Sequence, residues 1–156
     1  MNETTPLRRS LFLGVWLIWM GIVFYFSTQT WGGAETQSSL DRLLTLYVPS
    51  VREMLSTSDL GHLNFAIRKL AHFTEYAILT FLGYWAWSKS LGRAPQQAIR
   101  IALAISILFA ISDEFHQLFV PGRTSLYTDV LIDCLGASLL ALTLQQWIAR
   151  TAIAKA

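Results

Sequence analysis

The chain has 156 residues, of which 53% are hydrophobic and only 14% are charged, with a formal net charge of +2. This composition is too apolar for a soluble domain of that length, so it predicts an integral membrane protein. The small charge and scattered basic residues argue against a nucleic-acid-binding surface, and the single cysteine excludes a disulfide within one chain.

Four apolar segments are each long enough to cross a bilayer, and they lie at about residues 11–27, 69–87, 100–119 and 129–147. They predict an all-α fold, namely a polytopic four-transmembrane-helix bundle that forms a single domain over residues 1–156. No soluble catalytic domain fits in the remainder. The first segment also resembles a signal peptide, but its length and its tryptophans favour a membrane helix.

The distribution of Lys and Arg predicts the orientation of the bundle. Basic residues are more numerous on the side that holds both termini. By the positive-inside rule, both termini are therefore expected in the cytoplasm, and the chain is expected in the cytoplasmic membrane.

An amphipathic segment is predicted between the first two membrane helices, on the outer side. Apolar residues recur there at helical spacing over residues 40–55, with an interruption at Pro49. Ser38 and Asp41 resemble a capping pair at its start. The segment is expected either as a broken helix on the membrane interface or as a loop packed onto the bundle. In both cases it would cover the outer end of the bundle like a lid.

The few ionisable residues inside the apolar segments all lie near the helix ends that open to the outer side. On the second helix, Lys69, His72 and Tyr76 follow a spacing of i, i+3 and i+7 and form one stripe, with Glu75 beside it. Burying charge at membrane depth costs several kcal/mol unless the charge is paired or wetted. These residues therefore indicate a functional site.

The third helix contributes polar residues near its outer end. Glu114 and Gln117 are expected to share one face, one turn apart, whereas Asp113 and His116 are expected to point elsewhere. On the fourth helix Asp129 stacks four residues before Asp133. Since consecutive helices alternate in direction, all these groups are expected at the same membrane leaflet.

The connection before the fourth helix adds Arg123 and Ser125 to this polar set. The acidic faces then surround at least two cations, Lys69 and Arg123. Small residues at Gly136 and just after it are expected to let two helices approach closely. A polar plug that satisfies itself and only fixes the helix register is the structural alternative.

Many fixed polar and small residues at fixed spacings carry a family resemblance. They are Lys69, His72, Phe73, Glu75 and Tyr76, then Asp113, Glu114, Gln117, Phe119, Pro121, Gly122, Arg123, Ser125, Asp129, Asp133 and Gly136. In these positions the chain resembles the VanZ-like family of small bacterial membrane proteins, over roughly residues 22 to 145. It departs from the family at Asp133, where Asn is common. The family is named for a teicoplanin-resistance protein, which implies a role at the outer membrane face with cell-wall or lipid-linked substrates.

The first functional hypothesis is a binding site for a membrane lipid, or for a lipid-linked or glycopeptide-type ligand of the cell envelope. Arg123 and Lys69 would hold an anionic group. The full set of candidate ligand-binding residues is Lys69, His72, Tyr76, Glu114, Gln117, Arg123, Ser125, Asp129 and Asp133.

The second hypothesis is an intramembrane enzyme that acts on a phosphoryl or acyl group of a lipid-linked substrate. The candidate catalytic residues are His72, Glu75 and Glu114, with the imidazole as an oriented base. No spacing diagnostic of a metal site is present, and no cofactor is predicted. A proton-coupled transporter is a further alternative, but the polar groups offer it no route through the inner leaflet.

Overall fold

A computed structural model describes residues 6–29, 33–121 and 126–154 of the chain. Every regular element in these ranges is helical, which confirms the predicted all-α fold. The helices are α1 (Pro6–Thr28), α2 (Gly33–Tyr47), α3 (Pro49–Met54), α4 (Thr57–Trp85), α5 (Pro95–Gln117) and α6 (Tyr127–Ile153), and a π-helical turn (Ala86–Ser90) extends α4. By length and apolar composition, two of the four predicted spans meet the requirement for crossing a membrane, Ser10–Thr28 and Tyr127–Ile153.

The helices α4, α5 and α6 pack against one another, and α1 packs onto α4 and α5. The closest approach joins α4 to α6 at Gly136. A Cβ atom built on this glycine would overlap the Phe73 carbonyl group and lie 2.9 Å from its carbon. The absence of a side chain at Gly136 therefore lets two helix backbones touch, as the small-residue pattern predicts.

A hydrogen bond joins α4 to α5 in the middle of the bundle. The Thr80 hydroxyl donates to the Tyr76 carbonyl at 3.0 Å and lies 2.9 Å from the hydroxyl of Ser106. Since all three residues are fully buried, this pairing satisfies polar groups that would otherwise be costly in an apolar core.

Helix α4 begins at Thr57, well before the start that the hydropathy pattern predicts at Lys69. A capping box stabilises this early start: the Ser56 hydroxyl accepts from the Asp59 amide at 3.2 Å, and the Asp59 carboxylate accepts from the Ser56 amide at 3.0 Å. The hydrogen bonds from Ser56 lower the pKa of Asp59. The early start places Arg68 on the same rigid helix as the predicted site residues.

The outer segment is a helix broken at Pro49, as the sequence predicts, because proline starts a new helix, α3. The predicted capping pair is wrong, since α2 already begins at Gly33. Ser38 lies inside α2 and donates to a carbonyl of the preceding turn at 2.9 Å. Asp41 instead forms an ion pair with Arg52 of α3, which closes the outer hairpin.

Helix α2 lies on the outside of the bundle, and none of its described residues is buried. Its first turn is tied to α4 by the Asn64 side chain, which donates to the Gly33 carbonyl at 2.9 Å. The buried amide fixes the start of α2 beside the polar part of α4. This placement gives α2 the position predicted for a lid.

Candidate functional site

A polar cavity of about 180 Å³ lies between α1, α2, α4 and α5. Its polar lining consists of Ser27 on α1, Thr36 on α2, Arg68, His72 and Glu75 on α4, and Asp113 and Gln117 on α5. Four separate helices therefore supply the polar groups. The juxtaposition is the one expected from helices that alternate in direction.

The side chains of α4 reach this cavity from one helix face. Arg68, His72 and Glu75 are separated by four and three positions, which is the spacing of a single stripe. At 1.5 Å per residue, Glu75 lies about 10 Å further along the helix than Arg68. The arginine therefore stands at the α2 end of the cavity and the glutamate at its inner end.

Asp113 and Gln117 complete the wall on α5. The Gln117 side-chain amide donates to Asp113 Oδ2 at 3.2 Å, and both residues are buried. The sequence-based expectation that Asp113 points away from Gln117 is therefore wrong, because residues four apart share a helix face. The other carboxylate oxygen, Asp113 Oδ1, is buried without a hydrogen-bond partner among the described residues.

Asp133 of α6 lies next to His72 and is not part of the cavity lining. Its Oδ1 atom is 3.4 Å from His72 Nδ1, a contact that does not have hydrogen-bond geometry, and the residue is only 1% exposed. The imidazole thus lines the cavity and has a buried carboxylate beside it. A carboxylate in this position orients a general base once a hydrogen bond forms between the two groups.

Lys69 forms a separate ion pair with Asp129 of α6. Both side chains are largely buried, and the ammonium lies 4.9 Å from the centre of the Phe65 ring. Because the Lys69 ammonium is paired with a carboxylate of α6, the lysine is not part of the cavity wall. Of the two cations predicted to hold an anion, Arg123 lies outside the described residues, as does Ser125.

Glu114 is placed at the start of α6 and not in the cavity. Its Oε1 atom accepts a hydrogen bond from the backbone amide of Leu126, the N-cap residue of that helix. Tyr76 is fully buried beneath the site, next to Phe109, with a ring distance of 6.4 Å. His116 contacts Phe24 of α1. These residues position the helices that form the site.

An apolar groove of about 580 Å³ runs between α2 and α4 and adjoins the polar cavity. Three residues, Thr36, Arg68 and Ala71, line both spaces. The rest of the groove is formed by Glu35, Ser39, Leu40, Leu43, Asn64 and Ile67. The polar cavity and the apolar groove therefore meet at the Arg68 side chain.

Comparison with known proteins identifies the family. The model of the VanZ/LLP1 family matches residues 12–149, nearly the whole chain. The chain belongs to the VanZ/LLP1 family. An uncharacterized protein of the fission yeast Schizosaccharomyces pombe is 34% identical over 71 residues, which are 46% of this chain and 42% of that protein. The chain thus spans about two fifths of that relative, and no solved structure matches.

The family match confirms the resemblance seen in the polar positions, whereas the structure adds residues that the pattern missed. Arg68 lies just before the second predicted span, 69–87, so the apolar pattern leaves it outside the membrane helix. The signal was nevertheless present: Ser56 and Asp59 have the spacing of a capping box ahead of an apolar run. A helix begun there places Arg68 one turn before His72, on the same face.

The described part of the chain holds no group of three or more His, Cys, Asp or Glu side chains arranged to bind a metal ion. The polar groups of this VanZ/LLP1 protein are instead spread along the cavity wall, with one cation at one end and carboxylates at the other. Such a wall suits an elongated ligand that carries both hydrogen-bond donors and a negative charge.

Proposed function

We propose that this VanZ/LLP1 protein binds a cell-envelope lipid, or a lipid-linked or glycopeptide-type ligand, in the polar cavity between α1, α2, α4 and α5. The proposal rests on one observation: the polar cavity, which is lined by Arg68, His72 and Asp113, adjoins the apolar groove. A molecule with a polar head and an apolar tail matches both linings. Binding sites of this kind use a few convergent polar groups to orient a mostly apolar ligand.

The same proposal places the chain in the cytoplasmic membrane, with four membrane-crossing helices and both termini in the cytoplasm. Large apolar side chains face outward on each of these helices, including Ile18 and Ile22 on α1, Leu70 and Phe81 on α4, Leu108 and Ile111 on α5, and Leu135 and Leu142 on α6. Apolar surface of this extent is typical of contact with lipid. The cavity then lies toward the outer leaflet.

A role in resistance to teicoplanin is included in the proposal and rests on family membership. A ligand with a lipid tail would be retained at the membrane surface by the groove. Sequestration or altered presentation of such a ligand requires binding only, without turnover.

The proposal is tested by ligand binding to the purified protein in lipid nanodiscs. Asp113→Asn and His72→Gln should each weaken binding of fluorescent teicoplanin or fluorescent phospholipid about tenfold, since each removes a polar contact inside the cavity. Glu53→Gln, on the exposed surface of α3, is the matched control and should change nothing. If neither probe binds the wild-type protein, the cavity is a structural polar plug and the proposal fails.

A second candidate function, an intramembrane enzyme, is favoured by one observation, the His72–Asp133 pair. His72 would remove a proton from an attacking hydroxyl or water, while Asp133 holds the imidazole in place. For an enzyme, His72→Gln should abolish turnover of a lipid-linked phosphoryl or acyl substrate and leave its binding largely intact. Loss of binding in parallel with loss of any activity would instead favour the binding function.

A further inference from the structure

The point where the polar cavity meets the apolar groove defines the class of ligand. We propose that the ligand is a phospholipid with a donor-bearing headgroup, with its phosphate on Arg68, its headgroup toward Glu75 and Asp113, and an acyl chain in the groove between α2 and α4. This inference rests on the proposed binding function and deepens it.

Arg68 is the cation at the junction. Its Nη1 atom lies 3.1 Å from the position that a Cβ on Gly33 would take, so the guanidinium reaches the first turn of α2. The Lys and Arg ion pairs within the described residues join other groups, Arg52 to Asp41 and Lys69 to Asp129. The planar guanidinium fork matches two phosphate oxygens. The acidic residue nearest on the groove wall, Glu35, is exposed to solvent.

The other end of the cavity offers carboxylate oxygens that accept hydrogen bonds from a ligand. Glu75 and Asp113 line it, and the buried Asp113 Oδ1 has no hydrogen-bond partner in the described part of the chain. Carboxylates accept hydrogen bonds and repel a second anion. An ammonium or hydroxyl group beyond the phosphate fits this lining. A bare phosphate monoester lacks such a group, and a trimethylated choline cannot donate.

The apolar groove is the place proposed for the acyl chain of the lipid. Leu40 and Leu43 of α2 face Ile67 of α4 across it, and its lining is mainly apolar. For a ligand that arrives from water, burial of one methylene raises affinity about fourfold, so the groove favours a molecule with an acyl chain over a free headgroup. The groove begins at the residues that also line the cavity, so head and tail of one molecule occupy both spaces without a gap.

The experiment is native mass spectrometry of the full-length protein with equimolar phosphatidylethanolamine, phosphatidylcholine and phosphatidic acid. The ethanolamine lipid should be bound about tenfold or more in preference to the other two. Asp113→Asn should reduce this preference. Arg68→Gln should weaken binding of all three lipids about tenfold, because all three carry the phosphate, whereas Arg42→Gln, an exposed arginine of α2, should change nothing. Glycerophosphoethanolamine, which has the head without the chain, should not compete.

Occupancy of the groove is tested separately. Ala71→Trp fills the junction and should abolish binding, while Ala66→Trp, at an exposed position of α4 that lines neither space, should not. The wild-type protein provides a test that needs no variant to fold: affinity for short-chain lysophosphatidylethanolamines, referred to the monomer free in water, should rise about fourfold per methylene until the groove is full.

Equal binding of the three headgroups, or equal behaviour of Arg68→Gln and Arg42→Gln, would overturn the inference. If a ligand still binds in a manner sensitive to Asp113→Asn but insensitive to Arg68 and Ala71, the inference fails and the proposed binding function stands. If no lipid or glycopeptide binds the wild-type protein at all, both fail.

Discussion

At the scale of single residues, the polar groups where α4, α5 and α6 meet divide into two sets with different contacts. The ion pair of Lys69 with Asp129 and the hydrogen bond from the Leu126 amide to Glu114 fix α6 against α4 and α5. Asp113, by contrast, keeps a carboxylate oxygen without a hydrogen-bond partner among the described residues, beside the cavity. We therefore propose that the first set holds the helices together and that the second contacts a ligand.

The structural role of Lys69 and Asp129 leads to a double-mutant cycle. Lys69→Met should destabilise the protein by about 3 kcal/mol, because it leaves a largely buried carboxylate without its counterion. The double variant with Asp129→Asn should recover much of that loss. The measurement is the free energy of unfolding in detergent, and additive losses in the double variant would show that the two side chains do not interact.

At the scale of helices, the sequence predicted the elements that have a clear local signal, namely a long apolar run, a proline or a small residue. The apolar segments predicted α1, α5 and α6, Pro49 predicted the break in the outer segment, and Gly136 predicted a close helix contact. The start of α4 was missed because hydropathy reports where a helix becomes apolar, not where it is capped. For that reason the sequence did not predict Arg68 as a residue of α4 that lines the cavity.

Close packing of α4 against α6 gives a prediction with an internal control. Gly136→Ala should destabilise the protein although alanine is the better helix former, because the added methyl overlaps the Phe73 carbonyl group. Gly14→Ala, where nothing lies within 4 Å of the new methyl, should be neutral or stabilise by up to about 1 kcal/mol. Thermal unfolding of the two variants measures the contrast, and equal melting temperatures would contradict it.

The capping box of α4 gives a second prediction at this scale. Ser56→Ala should lower hydrogen-exchange protection in the first turn of α4 about fivefold, as expected for a lost N-cap. Because the pKa of Asp59 is lowered in the folded state, its stabilising contribution is present above its ordinary pKa and is lost as the pH falls through the lowered value. Unchanged protection in Ser56→Ala would show that tertiary contacts alone define the helix start.

At the scale of the whole molecule, the order of helices explains why distant polar residues meet. Residues in the middle of α4 and near the ends of α1 and α5 come together at one cavity, because consecutive helices alternate in direction. Sequence reasoning predicted this meeting, but not which side chains share a cavity. Which side chains reach the cavity depends on how each helix is rotated about its axis. The rotation of α5 lets Asp113 accept a hydrogen bond from Gln117, while Glu114 accepts one from the Leu126 amide.

The proposed topology is tested by cysteine labelling in a Cys134→Ala background. A cysteine at Ser50, in the first turn of α3, should react with a membrane-impermeant maleimide applied to intact cells. A cysteine at Lys89, before α5, should react only after the membrane is opened. The helix order places these two positions at opposite ends of the bundle. Labelling of both from outside would therefore contradict the proposed four-span arrangement.

The most direct test of the central claim is a high-resolution density map of the full-length protein purified from its membranes into lipid nanodiscs. We predict elongated density that begins beside His72 and Asp113, passes Arg68 and continues along α2 toward Leu43. A cavity that holds only ordered water, with α2 closed onto α4 and no density in the groove, would contradict the claim that this chamber binds an amphiphilic ligand.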